Sequence, residues 1–129
     1  MRGIFLIIFL SIATIAFSQA DSCKTAPLHT ASFAGVTVKG MISYDDIGKL
    51  HKMISDEEGS TILRFTLSID CDACEMYTRE VYSDTLSAED IKVMNRRESR
   101  YIISFDCIAG KNKKGELISH KPFLYYVKP

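Results

Sequence analysis

From Leu63 the chain alternates apolar and polar side chains: Leu63, Phe65, Leu67 and Ile69 fall between Arg64, Thr66, Ser68 and Asp70, and Cys71 continues the apolar phase. A period of two sends successive side chains to opposite faces, so this stretch predicts a half-buried strand with its apolar set on a core. Tyr101 to Ile108 repeats the pattern, with Tyr101, Ile103, Phe105 and Cys107 in phase. The polar stretch Lys111 to Gly115 then predicts a hairpin tip, its glycine supplying the permissive backbone such turns need. The chain returns as Leu117 to Val127, with Phe123, Tyr125 and Val127 as the inward set. Pro122 lacks an amide N–H for a ladder, so this strand starts properly after it or lies at an edge.

Weaker signals fill the remainder. Ser32 to Lys39 predicts a short strand in which Gly35 marks a bulge. Glu75 to Ser83 has no cleanly apolar face and predicts a peripheral strand. Ser43, followed by Asp45 and Asp46, opens a helix expected from Tyr44 to about Ile54, with Ile47, Leu50 and Ile54 on one face. Gly48 costs that helix about 1 kcal/mol relative to alanine. Ser87, followed by Glu89 and Asp90, opens a second helix ending near Asn95, with Leu86 and Ile91 placed as a hydrophobic staple. Several short strands with brief helices predict a mainly β protein, a β-sandwich with short helical crossovers.

Arg2 and the apolar run Ile4 to Phe17, closed by Ser18, Gln19 and Ala20, have the make-up of a secretory signal peptide over residues 1–20. Cleavage after Ala20 or after Ser18 fits equally. The run is shorter than the ~20 apolar residues of a spanning helix, and no later stretch is long enough. The chain is therefore expected to be periplasmic or secreted, with no membrane span after cleavage. A lipid on Cys23 is disfavoured by Asp21, an acid where small or apolar residues precede a lipidated cysteine; a lipidated Cys23 would also be unable to form a disulfide. Residues 21–38 read as an N-terminal arm and first strand, and 39–129 as one β domain. Beyond residue 20 there remain 15 basic against 16 acidic residues, a balance that gives no reason to bind nucleic acid. Arg96 to Arg100 includes an acid and reads as a solvated face.

The four cysteines, Cys23, Cys71, Cys74 and Cys107, admit three chemistries. Cys71 and Cys74 form a Cys-x-x-Cys, but Asp70, Asp72 and Glu75 surround it, and like charge disfavours the thiolate that redox exchange needs. A zinc site would need four ligands, and the second close pair or histidine spacing that marks one is missing. His29, His51 and His120 read as surface residues. Two disulfides suit an exported chain best. Cys71 and Cys107 each end a strand in the core-facing phase. If those strands run in the same direction in opposite sheets, Cys71 meets Cys107, and Cys74 is left to pair with Cys23 on the arm. No nucleophile elbow or phosphate-cradling loop is present, so no catalytic residue, metal or cofactor is assigned.

Gly40-Met41-Ile42-Ser43 before an acidic helix start, Ile62 to Leu67, the Leu86-Ser87 helix start, and Tyr101 to Ile108 with its hairpin and terminal aromatic strand together resemble the C-terminal domain of the gliding-motility protein GldM, over residues 39–128. That resemblance implies a periplasmic immunoglobulin-like β module of the Bacteroidetes type IX secretion and gliding machinery, which contacts other machinery subunits and is not an enzyme. This chain departs from the family in carrying a signal peptide in place of a spanning N-terminus, a single domain and four cysteines. A stand-alone exported relative with an envelope protein as partner is expected, its oligomeric state left open. The competing expectation is a thiol-disulfide oxidoreductase or metal-binding protein built on the Cys-x-x-Cys.

Overall fold

A computed structural model describes Cys23 and residues 29–37, 39–72, 74–96 and 100–128. Residues 1–20, read as a signal peptide, lie outside the described residues. The strands are β1 (His29–Phe33), β2 (Gly40–Ser43), β3 (Met53–Ser55), β4 (Thr61–Cys71), β5 (Tyr77–Val81), β6 (Tyr101–Lys111), β7 (Leu117–Lys121) and β8 (Phe123–Lys128). The helices are α1 (Tyr44–Ile47) and α2 (Ala88–Met94). The protein is thus mainly β, as its alternation predicts.

The two strongest alternating stretches, β4 and β6, are antiparallel neighbours at the centre of one mixed sheet. On its other side β6 pairs with β8 from Tyr101 to Phe105 and with β7 from Ile108 to Lys111. Pro122, with no N–H to donate, stands at the break between those two partners. β2 adds parallel to β8, β1 parallel to β7, β3 antiparallel to β1, and β5 antiparallel to β4. The sheet curls until its margins meet. Lys52, before β3, bridges to Thr85, after β5, flanked by Met53 N–H to Asp84 C=O (2.7 Å) and Leu86 N–H to His51 C=O (2.9 Å). The layers facing each other across the core are therefore flanks of one curled sheet. Inside lie Phe33, Phe65, Leu67, Ile69, Ile103 and Phe105, with Ile47, Leu50 and Met94 from the crossovers.

Two bulges change the side-chain phase. Ile62 pairs with Gly110 and Arg64 with Ala109, which leaves Leu63 as an extra residue on β4; Thr66 then pairs with Asp106, which leaves Cys107 and Ile108 opposite Phe65. The insertions lie on opposite strands, so the register lost at one is recovered at the other. Leu63, expected in the core, is 40% exposed, and Ile62 takes its place. Cys107, also expected in the core, is half-buried with Ile108 buried instead. The Cys107 backbone is left-handed at φ 50°, a conformation costing an L-residue about 1–2 kcal/mol.

The connections depart from expectation where tertiary pairing outweighs local pattern. The helix expected to reach Ile54 stops after one turn at Gly48, and Met53 and Ile54 join β3, Met53 buried and Ile54 exposed. Gly35, at φ 77°, makes the turn that ends β1, so the first strand runs over residues 29–33 and not 32–39. The second helix forms as its capping signature predicts. Asp90 Oδ2 accepts from Ser87 N–H (3.0 Å) and Ser87 Oγ (2.8 Å), and Asp90 N–H donates to Ser87 Oγ (3.1 Å). Arg79 on β5 neutralises this buried carboxylate by an ion pair, so burial leaves it neither unpaired nor unbonded. At the other end of α2, Tyr101 Oη donates to Met94 C=O at 2.7 Å, satisfying a carbonyl the helix leaves open.

Candidate functional site

On a half-buried sheet the outward positions of a strand are ordinarily polar. Along β8 they are Leu124, Tyr126 and Lys128, because Tyr125 and Val127 point into the core. The register places Tyr126 between Met41 of β2 and Ile102 of β6, and Asp70 of β4 beyond Ile102. An apolar row, Met41–Tyr126–Ile102, therefore crosses three strands on the face turned to solvent. Met41 is 54% exposed and Tyr126 51%, with Leu124 at 40% one position along β8.

Two residues further towards the end of the sheet, the same face carries charge. Lys128 lies opposite Ser43, and Arg100 and Asp72 lie just outside β6 and β4, next to the Cys71–Tyr101 pair. Apolar and charged rows together line a groove of about 370 Å³, to which Cys71, Tyr101 and Val127 also contribute. Its acids, Asp70 and Asp72, stand on the β4 side, and its cations, Arg100 and Lys128, beside β6 and β8. Among the described residues neither cation makes a salt bridge. A groove of this size, with an aromatic and aliphatic floor and a few charges at one end, has the volume and mixed lining of a ligand-binding cleft.

The cysteines pair as Cys23 with Cys107 and Cys71 with Cys74, with Cα separations of 4.5 and 5.5 Å. The expected pairing, Cys71 with Cys107 and Cys23 with Cys74, is thereby corrected, and the sheet gives the reason. β4 and β6 are antiparallel neighbours with Cys71 opposite Tyr101, so Cys107 lies six residues along β6, roughly 20 Å away. The bulge then turns Cys107 out of the core, where it pairs with Cys23. The Cys-x-x-Cys closes on itself at the edge of the groove, both residues half-buried. The pairings are compatible with an exported protein, and among the described residues no helix is long and apolar enough to cross a membrane.

His120, expected at the surface, is 3% exposed. Its Nε2 lies 2.7 Å from Ser55 Oγ, and its ring lies 5.7 Å from that of His29, which in turn faces Asp56 (3.4 Å) and Glu57 (3.6 Å). The cluster ties β1, β3 and β7 together. Among the described residues no group of three or more His, Cys, Asp or Glu is placed to hold a metal ion. Loss of hydration on burial holds the His120 pKa below its ordinary value of 6.5, opposed first by the Ile108 backbone, assisted by His29, and opposed further by Asp56 and Glu57. The unfolded chain therefore takes up this proton first. Its contribution to stability is complete above about pH 6.5 and is lost as pH falls through the depressed value. Urea titrations at pH 7.5 and 5 should show wild type losing more stability than His120→Asn; equal losses would place the acid sensitivity elsewhere.

Sequence reasoning did not single out the outward row, although the signal was present: Phe123 to Val127 is apolar in both phases, as is Tyr101 to Ile103. No family model, no curated protein and no solved structure matches this chain.

Proposed function

We propose that this chain is a non-enzymatic interaction module of the cell envelope, periplasmic or secreted, which recognises another envelope protein through the groove on the outer face of β2, β8 and β6. The observation that carries this is the solvent-facing row Met41–Tyr126–Ile102, where an unpartnered sheet face would ordinarily be polar. The resemblance to the GldM C-terminal domain supports the same class of role and points to the type IX secretion and gliding machinery as the assembly served. Met41 and Tyr126 are half-exposed cross-strand partners, so Met41→Thr with Tyr126→Thr, which keeps strand propensity and adds no charge, is expected to lower stability by about 1 kcal/mol while abolishing retention of the envelope partner in affinity purification. Full retention by the double variant would refute the groove as the contact surface.

The mutual pairing of Cys71 and Cys74 beside the groove favours a second reading, a thiol-disulfide oxidoreductase acting on a groove-bound partner. Asp70, Asp72 and Glu75 flank the pair and oppose thiolate formation. Insulin reduction that is lost on Cys71→Ser would establish this activity, and its absence in the wild type would dismiss it.

A further inference from the structure

We infer that the partner segment bound in the groove is an extended strand carrying an apolar or aromatic residue at one position and a carboxylate two residues away. The inference rests on the proposed interaction role and specifies the chemistry of the partner. The apolar and charged residues line one groove and are two residues apart in the chain: Tyr126 and Lys128 on β8, Met41 and Ser43 on β2, and Ile102 on β6 with Arg100 just before that strand begins. Two residues of extended chain advance about 6.8 Å and return the side chain to the same face. An extended segment lying along β8 therefore seats side chain i on Tyr126, Met41 and Ile102 as it delivers side chain i+2 to Lys128 and Arg100.

Charge fixes the sign and the place. Lys128 and Arg100 lack salt-bridge partners among the described residues; Lys128 is on β8 and Arg100 immediately precedes β6. Asp70 on β4 and Asp72 just beyond its end stand on the β4 side, two strands from β8, roughly 9–10 Å away. A carboxylate above β8 thus meets the cations within one strand spacing, while the acids lie about a Debye length off at physiological salt. A basic residue at i+2 would face the two cations directly and be rejected.

The test uses the mature chain with both disulfides intact, ¹⁵N-labelled for NMR titration. The probe is the amide-capped pentapeptide Thr-Phe-Thr-Glu-Thr, compared with its Gln counterpart. The Glu peptide should shift the amide signals of Met41, Ile102 and Tyr126 and bind about two- to fivefold more tightly at low salt. That advantage should vanish at 0.5 M salt and in the Arg100→Gln, Lys128→Gln double variant. Equal binding of the two peptides would overturn the carboxylate inference and leave the interaction role standing. No shift at the three apolar positions with either peptide would overturn both. Tighter binding of a peptide that ends at Phe with a free carboxylate would replace the internal acid with a chain terminus, and so would also overturn the inference as stated.

Discussion

Replacing Cys23 and Cys107 together by alanine is expected to lower the unfolding free energy by about 4.5 kcal/mol, against about 2 kcal/mol for the same replacement of Cys71 and Cys74. The difference follows from chain entropy. The first bridge spans a sequence separation of 84 and the second one of 3, and a longer closed loop removes more freedom from the unfolded chain. With total stabilities of small domains near 5–15 kcal/mol, loss of the long bridge should leave a marginal fold. Glycine at position 107 should fare better than alanine by about 1 kcal/mol, because the bulge holds that residue at φ 50°, where a Cβ is strained. Urea denaturation of the three variants would measure this. A larger loss from the Cys71–Cys74 pair would show that the short bridge is the principal staple.

Phe105→Ala should cost about 3–5 kcal/mol, at the upper end for a core truncation. Phe105 is fully buried, and its ring meets those of Phe33 and Phe123 (both 5.0 Å), Phe65 (5.9 Å) and Tyr125 (6.2 Å). These partners come from β1, β4 and β8, so the cavity would be walled by three strands pinned in the sheet and unable to collapse together. Phe105→Leu retains most of the volume and should cost less than about 1.5 kcal/mol. Equilibrium unfolding would decide it; a loss under 1.5 kcal/mol for the alanine variant would mean that the curled sheet closes around the gap.

Much of the fold was legible because burial on one face leaves a period of two. Phe65, Leu67 and Ile69 on β4, Tyr101, Ile103 and Phe105 on β6, and Tyr125 and Val127 on β8 are inward as their phase predicts. The Ser87 cap and the break at Pro122 were equally plain, since each depends on chemistry local to a few residues. What was hidden is non-local. The insertions at Leu63 and Cys107 compensate each other across two strands 40 residues apart in the chain, and nothing in either strand alone records its partner's register. The cysteine pairing is hidden for the same reason: the bulge breaks the phase at Cys107, and β4 and β6 are neighbours in one sheet and not members of opposite layers. His120 is buried by its alignment with His29 in a parallel pair, and the helix after Ser43 yielded to strand pairing of β3 with β1. The groove lay between these cases. Its apolar excess could be read from β8 and the start of β6, but its assembly into a row needed the register.

The outer face of β2 and β8 is the proposed recognition surface. Its most direct test is site-specific photo-crosslinking in native envelopes, with p-benzoylphenylalanine in place of Met41, Tyr126 or, as a control on the polar side of the same face, the exposed Thr78 of β5. One discrete protein adduct at positions 41 and 126, and none at 78, is the predicted result; no adduct at 41 and 126, or equal adducts at all three, would contradict it.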